Sequence, residues 1–263
     1  MKLATFLSPG NSEPLAGEIR GDRIVAFGDG STVKEHLAFG GGEGAGGEAW
    51  PLDDIVLLAP VPAPGTIYCV GLNYRSHIEE TGRTAPERPL IFLKPTASSI
   101  PGNGVARRPA VVQKLDYEGE LAVVVGVDGK VGGYAVANDL SARDLQRIEP
   151  QWSRAKGADD FCPWGPWVTT PDEVPEPQHL RLRTWVNGEL RQDINTQDLL
   201  FGIDEILSFL QETNTLRPGD LILTGTGAGV GESMNPPQFL QPGDTVKVAI
   251  DSLGQIEHRI IER

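Results

Sequence analysis

The sequence predicts a β-rich α+β fold, and three observations predict it. Glycine and proline, 32 and 21 of 263 residues, are abundant enough to favour short strands and turns over long helices. Runs of four to eight residues rich in β-branched side chains recur between turn signals. Only one segment carries a convincing helical stripe, with Ile203, Ile206, Leu207 and Leu210 at i, i+3, i+4 and i+7. With 39% hydrophobic residues, the chain can bury a substantial core.

Residues 1 to about 60 alternate apolar runs (KLATFL, RIVAF, DIVLLAPV) with turns and pair no nucleophile with a base. They read as a small N-terminal β-rich domain, residues 1–60, ahead of a catalytic domain over 61–263. Within this part GGGEGAGG, at 40–47, reads as a flexible loop, and APVPAPG, at 59–65, as a linker. A buried strand, TIYCVG, then runs into Asn73. There Ser76-His77-Ile78-Glu79 has the capping-box form that opens a helix, which Thr81-Gly82 must end. PLIFLK reads as a strand whose Lys94 faces either the site or solvent. GELAVVVG and GGYAVAND are two strands joined through Asp128-Gly129, a tight-turn signal. TWVNGELRQ is a hairpin around Asn187-Gly188, and PGDTVKVAIDSLGQIEHRIIER is a closing hairpin. DLILTGTGAGVG is a buried strand opening into alternating glycines. It lacks both G-x-G-x-x-G and a following G-K-[ST], so it is not a nucleotide loop. The glycines instead allow close backbone approach to a ligand, with Thr224 or Thr226 offering a hydroxyl.

Charge narrows the functional classes. The formal net charge is -13, and no basic cluster exceeds Arg107-Arg108, so nucleic acid and anionic membrane surfaces are poor partners. Cys69 and Cys162 stand far apart in no CxxC arrangement, which indicates neither a disulfide framework nor a thiolate zinc site. MKLATFLSPG is too brief for a signal-peptide core, and no segment approaches transmembrane length. A cytoplasmic location is expected.

The chemistry concentrates between Leu115 and Gln146. Strand alternation puts Glu118 and Glu120 on one face, and the neighbouring strand stops at Asp139, so three carboxylates converge. A solvated strand face also suits two alternating glutamates. Converging carboxylates, by contrast, repel each other severely unless a hard cation lies between them, and oxygen-only ligation suits magnesium, manganese or calcium. If Glu79 is spent on the cap, His77 and Glu80 share one helical face, where the carboxylate can orient the imidazole. A packed or capping histidine is the competing reading. Lys156, set among glycines, acids and aromatics, is either part of a pocket wall or a surface lysine pairing Asp159 or Asp160.

Four stretches together resemble the fumarylacetoacetate hydrolase superfamily: GLNYRSHIEE, DYEGELAVVVG, ANDLSARDLQ with the KGxDxFxPxGPW after it, and RPGDLILTGTGAGVG. The likeness runs from about Thr66 to Ile261, in the family's order. It implies a fumarylacetoacetate hydrolase-like mixed β-sandwich roll with short helices, a homodimer, and a bound Mg2+ or Mn2+. Carried over by motif, Glu118, Glu120 and Asp139 look like the metal ligands and His77 with Glu80 like a water-activating dyad. Arg143, Gln146, Lys156 and Thr226 look like substrate contacts, with Lys156 also catalytic. Departures fall on substrate fit: Gly227 follows Thr226 where the family usually has proline, Ala158 replaces an aromatic, and Asp160 replaces a threonine or glycine. The N-terminal part resembles bacterial hydrolases and isomerases of aromatic (catechol) catabolism.

The resemblance implies a metal-dependent hydrolase that cleaves a carbon–carbon bond in an acylpyruvate-type 1,3-dicarbonyl acid, releasing pyruvate or an analogue. An isomerase or decarboxylase of 2-oxo diacids on the same site is the alternative. A small 2-oxo acid is the expected partner in either case. A binding module without activity is the third class, and it has no use for a positioned His77–Glu80 pair.

Overall fold

A computed structural model describes residues 1–39 and 46–263. Most of the glycine tract at 40–47 therefore lies outside the described residues. The architecture is β-rich and mixed, and among the described residues the longest helix, Ile203–Gln211, has nine residues. A twelve-stranded sheet and a five-stranded sheet enclose one large apolar cluster, and a two-stranded ladder, Leu115–Asp116 with Ser141–Ala142, lies beside the site. No helix among the described residues is long and apolar enough to cross a membrane.

The centre of the large sheet is the strand Gly119–Val125, buried along its whole length. It pairs antiparallel with Val131–Asn138 through the Asp128-Gly129 turn, where both residues take the left-handed conformation (φ 56° and 69°) that such a reversal requires. Burial on both faces explains why the run is continuously apolar beyond Glu120. Leu121, Val123 and Val125 join the cluster beneath the five-stranded sheet, whereas Ala122 and Val124 join a second cluster around Trp164. Gly119 is needed where the two sheets approach, because a Cβ there would lie 2.3 Å from Thr184 Oγ1.

The five-stranded sheet runs Glu189–Asn195, Arg181–Val186, Thr245–Ile250, Gly254–Glu262, Val105–Arg108. It contains both hairpins read from the sequence, at Asn187-Gly188 and near the C-terminus. All four residues of the helical stripe, Ile203, Ile206, Leu207 and Leu210, are buried in the large cluster.

The N-terminal strands extend the large sheet: Lys2–Leu7 pairs with Cys162–Thr169, and Leu15–Arg20, Arg23–Ala26 and Ala49–Pro51 follow outward. The proline-spaced segment 59–65, expected to be a linker, is packed at its start, whereas Pro62, Ala63 and Gly65 are exposed. Ala59 and Val61 are 3% exposed, and Thr5 Oγ1 donates to Pro60 O at 2.7 Å. Proline there satisfies a segment with few ladder bonds to make.

The short helix Arg75–Thr81 ends at Gly82 (φ 63°), as the sequence indicates, but the capping box does not form. The cap position is Tyr74, and the amide of Ser76 donates instead to Asp198 Oδ2 at 2.9 Å. A carboxylate from a distant turn has replaced the local cap. Asn73 anchors the same helix: its amide donates to Phe201 O (3.2 Å) and Thr224 O (2.8 Å) and accepts from Phe201 N (2.9 Å), with no exposed surface.

Asn73→Ala would leave three buried backbone groups unpaired, each costing about 1–3 kcal/mol. Urea denaturation should show a loss of about 3 kcal/mol or more; a loss under about 1 kcal/mol would show that Asn73 is not the anchor.

Candidate active site

Register brings the acids together. Asp139 N donates to Glu118 O at 2.8 Å, continuing the ladder in which Gly119 faces Asn138, so Glu118 and Asp139 are cross-strand neighbours and Glu120 is two residues along the same face. Ligand oxygens of the three lie within 4.8 Å of one another, and all three residues are buried. Asn138 fixes the corner, its Oδ1 accepting from Glu118 N at 2.9 Å.

Cations surround the triad. Lys156 Nζ donates to Glu118 Oε2 (2.6 Å) and Asp139 Oδ2 (2.8 Å), and neither Asp159 nor Asp160 is its partner. Those two bind Arg263 and Arg107 instead. Lys94 turns inward, bonded to Asp139 and to the backbone oxygen of Lys156. Arg143 is held at three corners: Nε by Asp116 (2.9 Å), Nη1 by Gln146 Oε1 (3.0 Å), and Nη2 in an ion pair with Glu118 Oε1 (2.7 Å). That last contact is an ion pair without hydrogen-bond alignment.

Four carboxylates (Asp116, Glu118, Glu120, Asp139) and three cations (Lys94, Lys156, Arg143) are therefore buried together. Burial would raise the Glu118 carboxyl, but Lys156 and Arg143 outweigh it and hold the group down at about 2. Among the described residues no lysine or arginine forms an ion pair with Glu120, which accepts from Gly225 N at 2.7 Å. Burial, with repulsion from Asp139 and Glu118, pushes the Glu120 carboxyl well above its usual range. The surplus acid is the oxygen donor that a hard cation relieves, so Glu118, Glu120 and Asp139 fit a divalent metal.

His77 and Glu80 come together as expected. Nδ1 lies 3.7 Å from Glu80 Oε2, within ion-pair range but beyond a hydrogen bond, and it has no other partner. Burial pushes the Glu80 carboxyl up, but the imidazole and the amide of Gly229, at 2.9 Å, together hold it below its ordinary value. Glu79, which the sequence places in the cap, is instead exposed. Thr226 lines the cavity but has its hydroxyl engaged, donating to Gly119 O and accepting from Gln192 Nε2, both at 2.8 Å. His77, Glu118, Glu120, Arg143, Gln146 and Lys156 all wall this same cavity, which holds about 40 Å³, room for a few water-sized groups. One side is apolar, with Phe92 and Trp152 edge to face at 5.4 Å.

The family description "Fumarylacetoacetate (FAA) hydrolase C-terminal" matches residues 66–261. The chain belongs to the fumarylacetoacetate hydrolase family. Oxaloacetate tautomerase YisK of Bacillus subtilis is 40% identical over 80% of this chain and 75% of its own. Among solved structures of the family, the fumarylacetoacetate hydrolase of Exiguobacterium antarcticum superposes with a TM-score of 0.90 at 33% identity, covering 100% of both chains. The 5-carboxymethyl-2-hydroxymuconate delta-isomerase of Mycobacterium smegmatis gives 0.84 at 35% identity, again over 100% of both. The family thus includes both hydrolases and isomerases at similar distance from this chain.

Sequence reasoning missed Asp116 and Glu232 and left Lys94 open. Asp116 had a signal, since D-Y-E-G-E places it on the alternation of Glu118 and Glu120. Glu232 had none, because only the tertiary fold brings it 2.6 Å from Arg147 and 3.7 Å from Arg143.

Glu120→Gln should weaken Mg2+ and Mn2+ binding by a factor of about 100 or more in calorimetry while thermal unfolding without metal stays unchanged or rises, since one repelling charge is gone. Unaltered metal affinity would remove Glu120 from the ligand set.

Proposed function

We propose that this chain catalyses metal-assisted enol–keto tautomerisation of a small 2-oxo diacid such as oxaloacetate. The observation that carries the reading is the small cavity of about 40 Å³ lined by Arg143, Lys156 and two of the three clustered carboxylates, Glu118 and Glu120, beside His77. Similarity to the Bacillus tautomerase supports it. Arg143 and Lys156, which both line the cavity, hold the 2-oxo acid carboxylate. A divalent cation at Glu118, Glu120 and Asp139 supplies Lewis-acid polarisation of the 2-oxo oxygen when bound. His77 moves the proton at the carbon next to that carbonyl, and the ionised Glu80 orients the ring and stabilises its charged form. Phe92 and Trp152 limit water on one side. Arg83 lines the mouth of the cavity and has no ion-pair partner among the described residues, which suits a second carboxylate.

Carbon–carbon hydrolysis of an acylpyruvate is the second reading, and the His77–Glu80 pair favours it, because the same base can activate water. Solvent isotopes separate the two. With oxaloacetate in deuterium oxide, tautomerisation places deuterium at C3 without cleavage. Hydrolysis of an acylpyruvate in oxygen-18 water puts one labelled oxygen in the acid fragment. His77→Ala should slow tautomerisation by about 10²–10⁴-fold. Faster labelled cleavage than tautomerisation in the parent protein would overturn the tautomerase assignment in favour of hydrolysis.

Arg83→Gln should lower the ratio of kcat/KM for oxaloacetate over a monocarboxylate 2-oxo acid by about tenfold, the equivalent of one charge-assisted hydrogen bond. An unchanged ratio would remove Arg83 from substrate selection.

A further inference from the structure

Asp116 has no exposed surface, and every site on its carboxylate is used. Oδ1 accepts from Tyr117 N (2.9 Å) and Gly231 N (2.8 Å). Oδ2 accepts from Arg143 Nε (2.9 Å) and Glu232 N (3.0 Å). One carboxylate thus joins the guanidinium that faces the cavity to the turn Gly231–Ser233. That turn follows directly on Gly229, whose amide holds Glu80 and whose carbonyl accepts from the Tyr117 hydroxyl at 2.9 Å. A Cβ on Gly231 would lie 2.7 Å from Asp116 Oδ1 and 1.9 Å from Gln238 O, so the turn approaches as closely as a backbone can.

We infer that Asp116 is a positioning residue that couples the carboxylate-binding Arg143 to the His77–Glu80 pair through the Gly229–Glu232 loop. It touches no substrate. With Nε taken by Asp116, the guanidinium keeps its Nη edge toward the cavity. With Gly231 and Glu232 gripped by the same group, Gly229 keeps its amide aimed at Glu80. Tyr117 grips the loop alone and has no bond to Arg143, so the two arms can be separated by mutation. The inference rests on the proposed function for its kinetic arm only.

Asp116→Asn sets an amide NH2 against one of two donor pairs, Arg143 Nε with Glu232 N or Tyr117 N with Gly231 N, so in either orientation two bonds become repulsions. The test measures oxalate binding by calorimetry in the presence of Mg2+, and kcat with oxaloacetate, for the parent, Asp116→Asn and Tyr117→Phe. Asp116→Asn should weaken oxalate at least tenfold and lower kcat at least tenfold. Tyr117→Phe should lower kcat several-fold and leave oxalate affinity within about twofold, a split that a general loss of stability does not produce. A folded Asp116→Asn protein that keeps both quantities within about threefold of the parent overturns the inference. If Asp116→Asn does not fold, an unchanged kcat in Tyr117→Phe overturns it. Should the parent not turn over oxaloacetate, the tautomerase reading fails, and the oxalate comparison still decides the Arg143 arm. A parent that binds no oxalate overturns that arm as well.

Discussion

Buried negative charge at the end of two paired strands is the constraint on which the rest of this structure depends. Four carboxylates and three cations lie together beneath the surface, and removing one partner of such a group typically costs about 3–5 kcal/mol. Lys94, Lys156 and Arg143 each bond to more than one group, and among the described residues Glu120 is the one acid of the four with no lysine or arginine ion pair. The acids exceed the cations by one, an imbalance that a hard cation would relieve.

Around this centre the fold divides the labour by layer. The twelve-stranded sheet holds the ladder that sets Glu118 against Asp139, and the five-stranded sheet backs it closely enough that only glycine fits at 119. His77 stands on a separate seven-residue helix, Arg75–Thr81, too short to be stable alone. Its position comes from tertiary bonds, from Asn73 to Phe201 and Thr224 and from Asp198 to Ser76. The carboxylate triad is thus built on the sheet, and the His77–Glu80 pair on an element whose placement depends on loops.

Much of this was legible in the sequence, for local reasons. Alternation put Glu118 and Glu120 on one face, and the Asp128-Gly129 turn made Val131–Asn138 the neighbouring strand, so Asp139 could be placed beside them before any coordinates. Helical spacing of three paired His77 with Glu80, and Gly82 ended that helix where glycine tolerates the left-handed conformation. The apolar stripe of Ile203–Gln211 and the Asn187-Gly188 reversal followed from the same short-range rules. Four motifs in one order were enough to indicate the family.

What the sequence by itself determined, then, is which residues share a strand face, a helix face or a turn, because periods of 2 and 3.6 residues and the steric limits of glycine act over a few bonds. Only the tertiary structure decided which distant groups meet. Lys156 bonds Glu118 and Asp139 rather than its neighbours Asp159 and Asp160, and Asp198 displaces a local cap at Ser76. Residues 59–61 pack at the start of a segment whose composition reads as a linker, and Gly229 reaches Glu80 across 149 residues. In each case a buried polar or apolar group takes the partner that packing brings near, and that choice is made by the whole chain at once.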